Sequence, residues 1–377
     1  MRRSSLVLAV SVCGALVGSA PALASEGRAG DKIPGRYIVV VKQDRDPAAV
    51  ARWQDAGSAH QFRTVHGFSA TLSAAQVRAL RESARVAYVE ADRVFTASTT
   101  QTMDSSGQPW GLDRIDQTAL PLSRTYTYTA RGAGVTAYVI DTGIATGLAD
   151  FGGRAQNVYD ALGGNGADCN GHGTHVAGTI GGTTYGVAKS VQLRGVRVLN
   201  CSGSGSTTGI IRALDWVRAN ATRPAVANMS LGGGRSTTLN NAANNLANSG
   251  VFLAVAAGNE SQNACNVSPA SAASAYTTAA SASNDTRASF SNYGSCVDGY
   301  APGVSVKSDW YTGGTNTISG TSMASPHVAG VGALYKSAFG EASSATVASW
   351  INTNATAGVI RSNPSGTPNR LLNKRGL

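Results

Sequence analysis

Apolar positions along most of the chain fall into short continuous runs that alternate with segments of helical periodicity. Val135–Asp141 and Val251–Ala257 are such runs, and runs of this kind are typical of strands that are buried on both faces. Strands that alternate with helices predict a parallel sheet with helices on both faces. We therefore predict an α/β body with strands at 135–141, 193–199, 225–231 and 251–257, and helices at 172–180, 207–218 and 238–249.

A different pattern precedes this body, where apolar and polar residues alternate as they do in strands. Tyr37, Val39 and Val41 fall on one face of a strand, and Asp46 opens the helix that follows. The order of elements is β-α-β-β-α-β, which predicts a small ferredoxin-like α+β module. Its predicted strands are Ile33–Lys42, Phe62–Leu72 with a break at Gly67, and Val86–Phe95, and its predicted helices are Pro47–Ala59 and Ser73–Glu82.

The first 24 residues show the three regions of a signal peptide. Arg2 and Arg3 form a positive end, Leu6–Val17 is apolar, and the triplet at 22–24 offers a small-x-small cleavage site. The apolar region is too short for a membrane span, and no later stretch has 18 consecutive apolar residues. We expect an exported, soluble protein without a membrane partner.

A polar segment without periodicity, Thr96–Gln108, separates the two predicted modules. Its composition predicts an exposed linker that proteases reach, and the body is expected to begin near Trp110. The expected organisation is a signal peptide over 1–24, the small module within 25–98, and the main domain within 99–377.

The net charge of +10 is spread evenly, with 13 basic and 8 acidic residues in 1–98 and 18 and 13 in 99–377. Neither part contains a block of like charge, which argues against a nucleic-acid partner. Four cysteines follow the predicted signal peptide. An even number in an exported protein predicts disulfides, and the count leaves three pairings open.

A turn of small residues presents Ser322 just before an apolar run at helical spacing. A serine at the start of a helix lies beside unpaired main-chain N–H groups, at the positive end of the helix dipole. That position suits a nucleophile whose attack creates an oxyanion, but serine is also a common helix cap. Ser322 alone therefore leaves capping and catalysis open.

Two further motifs supply what a nucleophilic serine requires. Asp141 ends a predicted strand, and the stretch NGHGTH (170–175) opens a predicted helix. The serine needs a base, and the imidazole needs a carboxylate that holds its tautomer and stabilises its charge. Asp141 could instead be a turn residue, and His172 and His175 could bind a metal. Each of these alternatives explains only one motif, whereas a catalytic triad explains all of them. The H-x-x-H pair also lacks the glutamate of zinc proteases.

The order Asp141, His172, Ser322 is that of subtilisin, whereas α/β-hydrolase esterases have the order Ser–Asp–His and a G-x-S-x-G motif. The chain resembles the subtilisin-like serine proteases of the proteinase K branch, and within it the aqualysin group, in five stretches. They are YVIDTG (138–143), NGHGTHVAG (170–178), AVANMSLGGG (225–234), AAGN (256–259) and GTSMASPHVAG (320–330). The resemblance covers residues 110–372, and residues 33–95 resemble the inhibitory propeptide of the family.

The resemblance implies a secreted serine endopeptidase of broad specificity with a subtilisin-like parallel sheet. Ser322 is then the nucleophile, His172 the general base and acid, and Asp141 the residue that orients His172. Asn259 is then the side-chain donor of the oxyanion hole, alongside the main-chain N–H of Ser322, and His175 is structural. The small module is expected to be a propeptide that templates and inhibits the enzyme, which removes it by cutting between about residues 96 and 103.

The same resemblance implies substrate-binding segments, between which an extended peptide adds as a strand. Their residues and those of the primary specificity pocket are Gly203, Ser204, Gly205, Ser230, Leu231, Gly232, Ala256, Ala257 and Gly258. These segments carry no acid, which favours apolar or aromatic residues over Lys or Arg before the cleaved bond. The expected partners are protein or peptide substrates and the propeptide, and the enzyme is expected to be a monomer.

The aqualysin pattern implies the pairs Cys169–Cys201 and Cys265–Cys296, and it implies structural calcium. One calcium site maps to the carbonyls of Ala273 and Ala275 and the carboxylate of Asp298. A second maps to Asp113, Asp116, Gln117 and Ser123, with Thr125 where some relatives have asparagine. Oxygen ligands suit Ca²⁺, but the two acids of the second set also fit a role as solvated turn residues.

Two alternative functions are consistent with some of these motifs. A catalytically inactive relative that acts by binding is expected to have lost a triad residue or Asn259, and all four are present. A secreted serine esterase is opposed by the order of the triad and by the absence of its motif around Ser322.

Overall fold

The computed structural model describes residues 32–57, 59–62, 66–93 and 99–377. The predicted signal peptide therefore lies outside the described residues. The chain divides into two units, residues 1–95 and residues 96–377.

The first unit contains β1 (Lys32–Val41), α1 (Pro47–Trp53), β2 (His60–Gln61), β3 (Gly67–Thr71), α2 (Ala74–Glu82) and β4 (Val86–Arg93). Its sheet has the order β2-β3-β1-β4, and β1 is antiparallel to both of its neighbours. This is the predicted β-α-β-β-α-β module. Ser73 and Gln76 form a capping box at the start of α2. Helix α1 ends at Trp53 instead of the predicted Ala59, because the chain turns at Asp55 with a positive φ of 51°.

The second unit is an α/β body. Its helices are α3 (Trp110–Asp116), α4 (His172–Gly181), α5 (Thr207–Asn220), α6 (Thr237–Asn248), α7 (Thr321–Phe339) and α8 (Ser344–Asn354). Its strands are β5 (Thr99–Thr102), β6 (Thr125–Tyr128), β7 (Thr136–Asp141), β8 (Ala155–Asp160), β9 (Gln192–Arg197), β10 (Ala225–Met229), β11 (Gly233–Gly234), β12 (Phe252–Ala256), β13 (Val267–Ser268), β14 (Tyr276–Ser281), β15 (Gly299–Pro302), β16 (Val306–Asp309), β17 (Thr315–Ile318), β18 (Thr356–Ala357) and β19 (Arg370–Leu371).

Nine of these strands form one sheet in the order β18-β19-β15-β14-β12-β10-β7-β9-β8. All pairs are parallel except β18 with β19. Alternate residues of β7 face two cores. Val139 packs in the core that contains Val176 of α4 and Val328 of α7, and Ile140 packs in the core that contains residues of α5 and α6. Helices on both faces thus bury the central strand and fix the position of its carboxyl end.

The predicted linker requires a correction, because its second half is structured. Thr99–Thr102 forms β5, which pairs antiparallel with β6 in the register Thr99↔Tyr128. The Asp104 carboxylate then accepts hydrogen bonds from the main-chain N–H groups of Ser106 and Gln108 and closes a turn. The described body therefore begins at Thr99 and not near Trp110. Its first strand is polar, and it is held by main-chain pairing that a search for apolar runs does not detect.

Candidate active site

The carboxyl end of β7 places Asp141 in the interior of the protein. Its side chain is fully buried, and Oδ1 accepts hydrogen bonds from Thr142 N (2.7 Å) and His172 Nδ1 (2.8 Å). Because a carboxylate accepts hydrogen bonds, Nδ1 carries the proton and Nε2 is left free to take another. The structure thus brings together the predicted acid and imidazole, and His172 remains 25% exposed.

The start of α4 places the two histidines of NGHGTH in different surroundings. Gly171 precedes the helix with φ of 110°, and a Cβ at this position would lie 2.4 Å from the Trp310 ring, so glycine is required. His172 follows at the surface of the cleft. His175 lies one turn further, fully buried, with Nε2 3.0 Å from the Val306 carbonyl oxygen. Burial lowers the pKa of His175 to about 4, which keeps it neutral.

The pKa of His172 is raised above its ordinary value, although burial acts in the opposite direction. Burial disfavours the charged imidazole, but the charge of Asp141 and its hydrogen bond favour it, and Asp168 adds to the same effect. The site therefore stabilises the imidazolium that forms when His172 takes a proton.

Ser322 is the second residue of α7, and its hydroxyl donates to the Ser230 carbonyl oxygen (3.2 Å). Pro326 has no N–H, so the Ser322 carbonyl lacks its usual partner four residues later in the helix. The Ser230 hydroxyl fills this position and donates to the Ser322 carbonyl at 2.7 Å. Ser230 in turn accepts a hydrogen bond from the Asn228 side chain. Ser230 was predicted only as a substrate-binding residue, and Pro326 was the signal in the sequence for this second role.

No hydrogen bond joins His172 to Ser322 in the described part of the chain. His172 and Ser230 nevertheless line one cleft, and Ser322 exchanges two hydrogen bonds with Ser230. In substrate-free enzymes, the hydrogen bond between base and nucleophile is often long and tightens when substrate binds.

Asn259 lies against the turn that leads into α7. Its Oδ1 accepts hydrogen bonds from Thr321 N (2.8 Å) and Thr321 Oγ1 (3.0 Å). This fixes the amide so that Nδ2 points away from Thr321. A Cβ placed on Gly320 would lie 3.6 Å from Ser322 N and 3.7 Å from Asn259 Nδ2. The two predicted oxyanion donors therefore lie on the same side of Gly320.

A cleft of about 480 Å³ opens beside His172. All six residues predicted for the two substrate-binding segments line it: Gly203, Ser204, Gly205, Ser230, Leu231 and Gly232. Residues that no sequence motif indicates also line it, among them the apolar Leu199, Ile210 and Leu239. None of the described lining residues is acidic.

The predicted wall residues Ala256, Ala257 and Gly258 do not line this cleft in the described structure. Ala256 ends β12, and both alanines are buried. Ala257 packs with Ala279 and Val297 in a small core cluster. The sequence indicates their small size but gives no sign that both alanines are buried.

The first predicted calcium set is compatible with an ion. Asp298, Ala273 and Ala275 line one cavity of about 680 Å³, together with Arg370. The Asp298 carboxylate accepts one hydrogen bond among the described residues, from Thr277 N to Oδ2 (2.8 Å). Burial raises the pKa of Asp298 to about 6, although the hydrogen bond from Thr277 and the charge of Arg370 act in the opposite direction. Two main-chain carbonyls and a carboxylate are oxygen donors of the kind that Ca²⁺ accepts.

The second predicted calcium set has other partners in the structure. Asp113 is buried, and its carboxylate accepts hydrogen bonds from Ser123 N (3.2 Å), Ser123 Oγ (2.9 Å) and Arg124 N (2.6 Å). The Gln117 side-chain oxygen accepts from Ser123 N (2.9 Å), and its amide nitrogen donates to the Pro121 carbonyl (2.8 Å). These donors already satisfy the oxygens that an ion would use.

Asp116 of the same set has a cation beside it. Lys374 is 2% exposed, and its ammonium group lies 2.8 Å from Asp116 Oδ1. The same ammonium donates to the carbonyl oxygens of Arg375 and Leu377, both at 2.9 Å. Thr127 N donates to the other oxygen of Asp116 at 2.7 Å. The second set therefore does not fit a calcium ion in this structure, because main-chain and hydroxyl donors and the Lys374 ammonium already bind its oxygens.

Two disulfides join Cys169 to Cys201 and Cys265 to Cys296, as the resemblance implied. The first ties the loop before α4 to the turn after β9. Because Cys169 lies three residues before His172, this bridge restrains the segment that carries the imidazole.

A parallel sheet with helices on both faces, an acid–imidazole pair at a strand end, and a serine at a helix start are the arrangement of a serine hydrolase. Residues 132–376 match the family model described as "Subtilase family", and residues 36–98 match the model described as "Peptidase inhibitor I9". The chain belongs to the subtilase family. It is a serine endopeptidase that carries an inhibitor domain at its N-terminal side.

Proteins similar to this chain include the "Extracellular serine proteinase" of Thermus sp. (strain Rt41A), which is 49% identical over 94% of this chain and 92% of its own length. The "Cuticle-degrading protease" of Metarhizium anisopliae is 44% identical over 97% of each chain. A crystal structure of a cold adapted subtilisin-like serine proteinase matches with a TM-score of 0.69 and 54% identity, over 70% of this chain and 97% of that chain. The predicted family and fold are confirmed. Within the described residues, no helix has the length and apolar character needed to cross a membrane.

Proposed function

We propose that the protein is a secreted endopeptidase in which Ser322 attacks the peptide carbonyl and His172 takes its proton. The observation that carries the proposal is the bond of His172 Nδ1 to the buried Asp141, which leaves Nε2 as the base. The same nitrogen then protonates the leaving amine. In the second step, His172 takes a proton from the water that attacks the acyl-enzyme and returns it to Ser322. Asp141 orients the imidazole and stabilises its charge in both steps.

We propose that Ser322 N and Asn259 Nδ2 form the oxyanion hole. The proposal is supported by the two bonds from Thr321 that fix the Asn259 amide before substrate arrives. Donors that are already oriented stabilise the developing oxyanion without reorganisation, which is why such groups have large effects on rate.

We propose that an extended peptide binds between residues 203–205 and 230–232, with an apolar or aromatic side chain before the cleaved bond. Glycines in both segments allow the two backbones to approach the peptide closely. The leucine and isoleucine side chains of the cleft favour apolar groups, and the described lining has no acid to pair with Lys or Arg.

We propose the maturation sequence that the organisation of the chain implies: a signal peptide at 1–24, a propeptide at 25–98 and the peptidase at 99–377. The inhibitor match ends at residue 98, and β5 of the body begins at Thr99. Self-cleavage between about residues 96 and 103 agrees with both limits. Relatives named extracellular support secretion.

The choice of substrate tests the proposed function. We expect the purified wild-type enzyme to release p-nitroaniline from a tetrapeptide anilide that ends in Phe, and to cleave the matched Arg substrate at least about tenfold less efficiently. A simple phenyl ester serves as the third substrate. Hydrolysis of the ester without cleavage of either peptide would contradict a peptidase and favour the esterase. Faster cleavage of the Arg substrate would be consistent with peptidase activity but would contradict the proposed preference for apolar residues.

We propose that Ala273, Ala275 and Asp298 hold a structural calcium ion. We expect chelation to lower the melting temperature of enzyme blocked with a sulfonyl fluoride by roughly 5–10 °C, since calcium at 100 times its Kd contributes about 2.7 kcal/mol. Binding requires ionised Asp298, whose pKa is about 6 without the ion, so the calcium effect should be present above pH 6 and fade below it. Asp298→Asn is expected to remove the response to the chelator. An equal response in that variant would place the ion elsewhere.

A further inference from the structure

We propose that Asp168 is a positioning residue for His172, a second carboxylate that fixes the start of α4 and favours a positive charge there. The inference rests on the proposed function, because it concerns His172 as the general base. Asp168 lies four residues before His172 in the loop that leads into α4, and 9% of its surface is exposed.

The Asp168 carboxylate accepts five hydrogen bonds from the elements that carry Asp141 and His172. Oδ1 accepts from Thr142 Oγ1, Asn170 N and Gly171 N, each at 2.9 Å. Oδ2 accepts from Thr174 N (3.0 Å) and Thr174 Oγ1 (2.5 Å). Three of these donors are main-chain N–H groups, which can only donate. No ion pair of Asp168 with lysine or arginine is present among the described residues, and the charge of Asp168 raises the pKa of His172.

Asp168 also supplies the cap that α4 lacks. Gly171 occupies the N-cap position and has no side chain to bind the free N–H groups of the first turn. The Asp168 carboxylate accepts from Gly171 N and Thr174 N instead. An anion is favourable at the N-terminus of a helix, and a cation is unfavourable there. His172 is the first residue of α4 and becomes a cation during the reaction, so Asp168 offsets the unfavourable effect of the helix on that charge.

Thr142 connects the two carboxylates. Its N–H donates to Asp141 Oδ1 (2.7 Å), its hydroxyl donates to Asp168 Oδ1, and the same hydroxyl accepts from Gly173 N (2.9 Å). These hydrogen bonds fix the loop of Asp168, the end of β7 and the start of α4 relative to one another. A shift of Asp168 would be passed on to the Asp141–His172 bond.

Three titratable groups face His172 from the surrounding elements. Asp141 at the end of β7 and Asp168 in the loop both raise the pKa of His172. His175, one turn along α4, has a pKa lowered to about 4 by burial and is neutral when the enzyme works. The two carboxylates therefore act together against the effect of burial on the pKa of His172.

The substitution Asp168→Asn keeps the shape of the side chain and removes its charge. We expect kcat for the Phe anilide to fall about tenfold with little change in KM. The acid limb of kcat/KM is expected to move to lower pH by about half a unit or more, because His172 loses its proton more readily without the second negative charge. Asp168→Glu keeps the charge and should leave the acid limb in place.

Asp160→Asn is the matched control. It removes another buried carboxylate, at the end of β8, whose charged neighbour is Arg197 (3.7 Å) and not α4. Its acid limb should coincide with that of the wild type. An unmoved acid limb in Asp168→Asn, or an equal shift in Asp160→Asn, overturns the inference.

A second variant keeps the test decisive if Asp168→Asn does not fold. Thr142→Val removes the hydroxyl that connects the two carboxylates, and it is expected to lower kcat about tenfold. Wild-type kcat in Thr142→Val would overturn the positioning role. Absence of peptidase activity in the wild type would instead contradict the proposed function, so the two failures are distinguishable.

Discussion

Replacement of Ser322 by alanine is expected to reduce kcat for peptide hydrolysis by about 10⁶-fold, the order known for the nucleophile of subtilisin. Without Oγ no acyl-enzyme forms, and the substrate is left with binding and the oxyanion donors alone. The measurement is p-nitroaniline release by purified enzyme. The Ser322→Ala precursor should also retain the propeptide, which mass spectrometry of the isolated protein detects.

Ser337→Ala is a suitable control, because Ser337 lies in the same helix and donates to the Ala133 carbonyl (3.0 Å), away from the cleft. Its kcat should equal that of the wild type. Activity of Ser322→Ala within about tenfold of the wild type would show that another group is the nucleophile. Loss of the propeptide from the isolated variant would show that maturation does not depend on Ser322.

The substitution Asp141→Asn is expected to lower kcat about 10⁴-fold, as the equivalent change does in other serine proteases with this triad. An amide in this position holds the imidazole in the wrong tautomer and no longer stabilises its positive charge. The pKa of His172 should fall, so the remaining activity should persist to lower pH than in the wild type.

A pH profile of kcat/KM tests this prediction, with Asp215→Asn on the exposed face of α5 as the control for loss of one negative charge. The control should match the wild type at every pH. A loss below about tenfold in Asp141→Asn would show that the carboxylate does not support the base. A shift of the acid limb toward higher pH would contradict the direction derived from the Asp141–His172 bond.

The sequence was sufficient to predict the elements that bring Asp141 and His172 together. Asp141 follows an apolar run, so it had to lie at a strand end, and NGHGTH precedes a run of helical spacing. The carboxyl ends of parallel strands and the helix starts beside them meet at one edge of the sheet. Local sequence patterns were therefore enough to predict that Asp141 and His172 lie close together.

Contacts between distant segments were not predictable in the same way. The resemblance implies a calcium role for Asp116, and the sequence does not reveal its partner Lys374, which lies far away in the chain and in no recognisable motif. The role of Ser230 depends on a carbonyl that Pro326 leaves without a helical donor. The order of the nine strands, and the covering of Ala256 and Ala257, arise from packing that a single sequence does not show.

Lys374 makes the charge compensation of Asp116 independent of the ions in the medium. A bound ion is lost when the medium is dilute or contains a chelator, and its effect then depends on concentration. The ammonium beside Asp116 belongs to the chain and is present at a fixed ratio from synthesis onward. Lys374 therefore compensates the charge of Asp116, the last residue of α3, whatever the ion content of the medium.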